Sequence, residues 1–116
     1  MRESEIERFA KKEFEKLGCL FLKWTCPGHA GVPDRILILP DGQTWFVELK
    51  NEVGRLSGLQ KKMLSELATR QQRTYVLYSK QQVSELVEKC RAELHNEVAH
   101  DNDKISGPPL PAGGDK

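Results

Sequence analysis

The sequence has no apolar run near the roughly twenty residues needed to cross a bilayer, so no membrane-spanning helix is expected within its 116 residues. Net charge is almost absent too, with 18 basic residues against 17 acidic ones. A strongly basic surface, the usual footprint of a nucleic-acid binder, is therefore missing from the chain as a whole. Cysteine is scarce: Cys19, Cys26 and Cys90 are odd in number and widely spaced. Such a set makes no disulfide framework and suits free thiols in a reducing cytoplasm. Cys26 and His29 form a Cys-x-x-His, but no second ligand pair stands at zinc spacing, so a structural zinc is not expected. No signal-peptide pattern and no internal repeat is visible, and nothing calls for an organic cofactor.

What is present fits one α/β domain of about 94 residues followed by a tail. Ile6, Phe9, Ala10, Phe14 and Leu17 recur at helical spacing, so residues 3–17 read as an amphipathic helix stopped by Gly18. Residues 19–25 resemble a strand, and 27–31 a flexible loop. The runs 36–39 and 45–49 are short apolar strands joined by Pro40-Asp41-Gly42, where proline presets φ and glycine accepts a positive φ. Ser57 is a natural N-cap for a helix from about 58 to 70, with Leu59, Met63, Leu64 and Leu67 on one inward face. A strand over 74–78 and a helix over 80–94, capped by Ser79 and burying Val83, Leu86, Val87 and Cys90, complete the pattern. The order is α-β-β-β-α-β-α. The hairpin demands antiparallel pairing and the helical crossover demands parallel pairing, so a mixed central sheet flanked by helices is expected. Residues 95–116 carry too little apolar area to offset ordering entropy and read as a disordered tail.

Three charged residues stand where such a sheet should carry none: Asp34 at the head of one strand, and Glu48 and Lys50 at the end of the next. Strand side chains alternate, so Glu48 and Lys50 point the same way while Leu49 points into the core. Pro33, lacking an N–H, suits the first position of a strand and helps to fix where Asp34 emerges. Two carboxylates and an ammonium converging at one end of a hairpin are the raw material of metal-dependent phosphodiester hydrolysis. Mg²⁺ or Mn²⁺ prefers hard oxygen ligands, and Asp34, Glu48 and the backbone carbonyl of Leu49 are the candidates. Lys50 would then stabilise charge developing at an attacking water. Although the chain is neutral overall, Lys23, Arg35, Lys50, Arg55, Lys61 and Lys62 all fall near or after this constellation, compatible with DNA contact.

Pro33-Asp34 … Glu48-Leu49-Lys50 resembles the PD-(D/E)xK nuclease superfamily. Gly31-Val32-Pro33-Asp34-Arg35, followed by Phe46-Val47-Glu48-Leu49-Lys50 and Gln60, resembles more narrowly the virus-type replication-repair nuclease (VRR-NUC) family, over roughly residues 1–92. The resemblance implies a restriction-endonuclease-like core and a metal-dependent endonuclease selective for branched DNA. It further implies a glutamate on the first helix, for which Glu3, nearer the centre of the apolar stripe, competes with Glu7. Gln60 matches the family's glutamine behind the site, where it would bond a water or a phosphate oxygen. Lys23, Arg35, Arg55 and Lys61 are candidate DNA contacts, Arg35 alternatively pairing with a surface acid. Trp24 and Trp45 read as core, and His29 as no part of the chemistry. Stand-alone members resemble phage or bacterial proteins that cut four-way junctions as homodimers. A flap or general nuclease, or a non-catalytic DNA-binding protein, is the alternative.

Overall fold

A computed structural model describes the backbone of residues 1–104 and the side chains of residues 1–95. Helix α1 (Glu3–Lys16) leads into strand β1 (Leu20–Lys23), strands β2 (Arg35–Ile38) and β3 (Thr44–Leu49), helix α2 (Gly58–Thr69), strand β4 (Arg73–Leu77) and helix α3 (Lys80–Lys104). The element order and the mixed sheet expected from the sequence are both present. The strands lie in the order β1-β2-β3-β4. The pairs β1–β2 and β2–β3 are antiparallel, whereas β4 runs parallel to β3 after the α2 crossover.

Each boundary has a local cause. Past α1, Gly18 takes φ +87° and the Cys19 N–H donates to the Phe14 carbonyl at 3.2 Å, which turns the chain into β1. The hairpin closes through a Gly42 N–H donating to the Leu39 carbonyl at 2.9 Å, with Gly42 at φ +98°. The Ser57 hydroxyl accepts from the Gln60 N–H at 3.1 Å, and the Ser79 hydroxyl from the Gln82 N–H at 3.2 Å. Both serines thus cap the helices they precede.

The two faces of the sheet are covered unequally. Phe21, Leu37, Trp45, Val47, Leu49 and Leu77 are buried on one face against Ile6, Ala10 and Phe14 of α1 and Val83, Leu86, Val87 and Cys90 of α3. On the other, Leu20 and Leu22 remain 56% and 43% exposed, and Ile36, Ile38 and Phe46 are only half-buried. Helix α2 contacts β4 and contains no buried residue, Leu59 being 56% exposed. The apolar stripe read from α2 is therefore a partial cover and not a core seam. Spacing reports which residues share a side; it cannot report how much lies beneath them.

The last helix also departs from expectation. It continues to Lys104 instead of stopping near 94, because no glycine or proline interrupts the sequence from Lys80 until Gly107. The remainder of the expected tail, 105–116, lies outside the described residues. Among the described residues no helix is long and apolar enough to cross a membrane.

Candidate active site

Asp34 stands immediately before β2, and its carbonyl accepts from the Trp24 N–H at 2.9 Å, carrying the β1–β2 ladder one step further. Pro33, fully buried, sets the entry to that position. Glu48 and Lys50 lie on and just beyond the end of β3, with Leu49 1% exposed on the core side between them. As the pleat requires, Glu48 and Lys50 share a side, their charged groups 3.8 Å apart.

The two carboxylates are locked crosswise. The Asp34 N–H donates to Glu48 Oε1 at 3.2 Å, and the Leu49 N–H donates to Asp34 Oδ1 at 3.2 Å. Each carboxylate is thus anchored by a backbone amide across the hairpin, Glu48 by that of Asp34 and Asp34 by that of Leu49. Each carboxylate oxygen retains acceptor capacity beyond these single bonds.

Glu48 is the only buried charged residue among those described, at 4% exposure. Burial, and then the neighbouring Asp34 charge, push its carboxyl up to about 7, a rise that Lys50 opposes. Asp34 is also raised, first by burial, with Arg35 opposing. Burial is the first cause of both shifts, and it works against the charged forms even with Arg35 and Lys50 beside them. A divalent cation prefers hard oxygen donors, and the candidates are the two carboxylates and the Leu49 carbonyl. No group of three or more His, Cys, Asp or Glu side chains is assembled as a metal cluster among the described residues.

Glu3 is exposed on the first turn of α1, and its charge raises both Asp34 and Glu48. Glu7 instead lies 3.7 Å from the Arg35 guanidinium. That guanidinium is 11% exposed, 3.7 Å from Asp34 Oδ2, and donates to the Asp34 carbonyl at 2.9 Å. Arg35 is therefore an internal clamp between α1 and the acid loop; its Nε is buried without a partner.

Gln60 reaches the site from α2. Its side-chain NH₂ donates to Glu48 Oε2 at 3.0 Å, while its side-chain carbonyl accepts from the Ser57 N–H at 2.8 Å. One side chain both caps α2 and holds the buried acid. Arg55, in the loop before α2, donates to the Val53 and Gly54 carbonyls at 3.2 and 3.1 Å. Lys23 and Lys61 are exposed at the end of β1 and on the first turn of α2. Trp45 is wholly buried, whereas Trp24 is half-buried against Phe46, ring centroids 5.2 Å apart. His29 is exposed in the loop before Asp34.

One residue's role was not apparent from the sequence. Gly31 has φ +93°, and a β-carbon there would meet the Leu59 carbonyl oxygen at 2.5 Å. Only glycine lets the acid-bearing loop rest on the first turn of α2. That contact keeps Gln60 within reach of Glu48. The signal in the sequence was a glycine three residues before the aspartate, which has meaning only once its neighbour across the fold is known.

Comparison with known proteins bears on the family and the fold. The profile of the VRR-NUC domain matches residues 5–81. A solved structure described as "VRR_NUC domain" superposes with a TM-score of 0.71 at 36% identity, covering 74% of this chain and 94% of that one. The "Putative nuclease p44" of Acyrthosiphon pisum secondary endosymbiont phage 1 is 44% identical over 50 residues. That match covers 43% of this chain and 54% of the phage protein, so the shared stretch spans about half the length of the relative. The profile match takes in Asp34, Glu48, Lys50 and Gln60 together, and the chain belongs to the VRR-NUC nuclease domain family.

Proposed function

We propose that the protein is a Mg²⁺- or Mn²⁺-dependent endonuclease that hydrolyses phosphodiester bonds in branched DNA, cutting four-way junctions as a homodimer. The observation that carries this reading is the crosswise lock of Asp34 and Glu48 with the Lys50 ammonium 3.8 Å from Glu48. Asp34, Glu48 and the Leu49 carbonyl would hold the cation, and Glu3, acting on both acids through its charge, supplements them. When bound, the cation would supply charge neutralisation at the phosphoryl oxygens and a more acidic water.

The remaining work belongs to the chain's own side chains. Gln60 fixes the rotamer of Glu48 so that the acid does not turn away when the site fills. Arg35 holds the backbone at Asp34. Lys50 places a cation where negative charge develops in the transition state, an interaction absent from the ground state and therefore catalytic. Lys23, Arg55 and Lys61, around the site, contact DNA phosphates. Leu20 and Leu22 on the edge strand, with half-buried Ile36, Ile38 and Phe46 beside them, give a second copy an apolar surface to cover. Two copies about a two-fold axis would suit paired cuts in a symmetric junction.

The test is cleavage of labelled four-way junction, flap, duplex and single-stranded DNA in Mg²⁺ and Mn²⁺, with sedimentation of the protein alongside. Junction nicking by a dimer is expected. A monomer that cuts flaps and spares junctions would leave a nuclease of another selectivity. No cutting of any DNA by wild type would remove the enzymatic reading.

A further inference from the structure

A second cationic surface lies beside the site, on residues the chemistry above does not use. Met1, Glu5, Arg8, Phe9, Lys12 and Lys80 line a groove of about 310 Å³ between the start of α1 and the start of α3. Its walls carry three cations, Arg8, Lys12 and Lys80, against one carboxylate, Glu5, whose Oε1 already accepts from the Arg2 N–H at 3.1 Å. Among the described residues none of the three cations lies within ion-pair distance of an acid. This sets them apart from Lys11 and Lys16 on the same helix, which pair with Glu15 and Glu13 at 2.6 and 3.0 Å. The Lys80 ammonium is held 5.3 Å over the Phe9 ring, so one cation is positioned by an aromatic wall.

The groove adjoins the catalytic edge. Its Met1 amino group lies 3.2 Å from Glu52, two residues past Lys50. The strand leading to Lys80 is joined to the site where the Lys50 N–H donates to the Leu77 carbonyl at 2.9 Å. Glu7, next to Arg8, reaches Arg35 and hence the backbone at Asp34. Arg8 and Lys12 are one helical turn apart, about 6 Å along the axis, so they offer charge along a line and not at a point.

We propose that this groove is a docking site for the DNA backbone: Arg8, Lys12 and Lys80 each take a phosphate of the substrate away from the one being hydrolysed. This rests on the nuclease reading above. Contacts to phosphate carry no sequence information, but they fix how the strand lies across the acids. They would give a chain of near-zero net charge a local cationic surface for DNA to lie on.

The experiment uses the full chain. Binding of a labelled four-way junction is followed by fluorescence anisotropy in Ca²⁺ over a salt series, for wild type, the triple variant Arg8→Gln/Lys12→Gln/Lys80→Gln, and Lys16→Gln as a control on the same helix. All these positions are exposed, and circular dichroism checks that each variant is folded. Removing one cation from a phosphate makes the log–log salt slope shallower by about 0.9, so the triple variant should lose about two to three units of slope and bind at least ~10-fold more weakly. Lys16→Gln should match wild type. In Mg²⁺ the triple variant should show a raised KM with kcat retained at saturating DNA. A triple variant with wild-type slope and affinity, while wild type cuts DNA normally, would overturn the docking site alone. Wild type that neither binds nor cuts DNA would overturn the nuclease reading and the docking site together.

Discussion

The two faces of the sheet divide the labour. The face under α1 and α3 is closed, with Trp45, Val47, Phe14 and Val83 at 0% exposure. The face crossed by α2 is open, and there Glu48 is gripped by Gln60 from a helix that buries none of its own residues. The closed face holds the molecule together. The open face holds Glu48 and the groups around it with hydrogen bonds and backbone contacts in place of packing. A small domain can afford this asymmetry only if one side supplies nearly all the apolar burial.

The contrast breaks most visibly at Trp45. Trp45→Ala should lower stability by about 3–5 kcal/mol, because it empties the core and also removes the ring on which the Arg73 guanidinium stacks at 4.2 Å. Urea denaturation measures this, and any activity lost should return in proportion to the folded fraction. Lys50→Ala should do the reverse. Cleavage should fall on the order of a hundredfold or more, with the unfolding midpoint scarcely moved. Since Lys50 holds Glu48 down, that variant's residual activity should also reach its maximum at higher pH than wild type.

Glu48 sharpens the comparison, because the open face should cost stability when it is charged. The folded protein raises this acid from 4.5 to about 7, so it favours the protonated form. The associated stabilisation is complete below about pH 4.5 and is lost as pH rises through about 7, amounting to about 3 kcal/mol across that window. Metal-free protein should therefore melt at lower temperature at pH 8 than at pH 5 as far as this group decides it. Mg²⁺ should restore the difference at pH 8 and do little at pH 5. Glu48→Gln should lose the pH dependence this group contributes, lose the response to Mg²⁺ and be inactive. A wild-type melting temperature indifferent to Mg²⁺ at pH 8 would contradict the metal site. The smallest effect is expected at Leu22→Ser on the open face, within about 0.5 kcal/mol for the isolated chain. If the protein sediments as a dimer through this surface, the same change should instead weaken the dimer measurably.

The closed face was the more legible of the two in the sequence. Its residues repeat at helical or strand spacing, and Ile6, Ala10 and Phe14, or Val83, Leu86, Val87 and Cys90, could be assigned before any coordinates. The parity of Glu48 and Lys50 followed from the pleat alone, and the caps at Ser57 and Ser79 from local chemistry. The contacts of the open face depend on what the crossover brings together. The grip of Gln60 on Glu48 spans 12 residues, and the pairing of Arg35 with Glu7 joins a strand to the opening helix. Neither has a periodic signature. The thin cover provided by α2 was hidden for another reason: Leu59, Met63, Leu64 and Leu67 make an apolar stripe whether or not a full complement of neighbours awaits it.

Gly28 and Gly31, three residues apart, have opposite surroundings. A β-carbon at Gly28 would meet nothing within 4 Å, whereas one at Gly31 would strike the α2 backbone. The peptide before Asp34 thus behaves as a hinge pin next to a free flap. Residues inserted around 28 should lengthen the loop outward and leave the spacing of the acids intact, while a single insertion between 31 and 34 should unseat them. Engineering, or natural drift, can therefore vary what this edge of the protein touches without disturbing where it cuts.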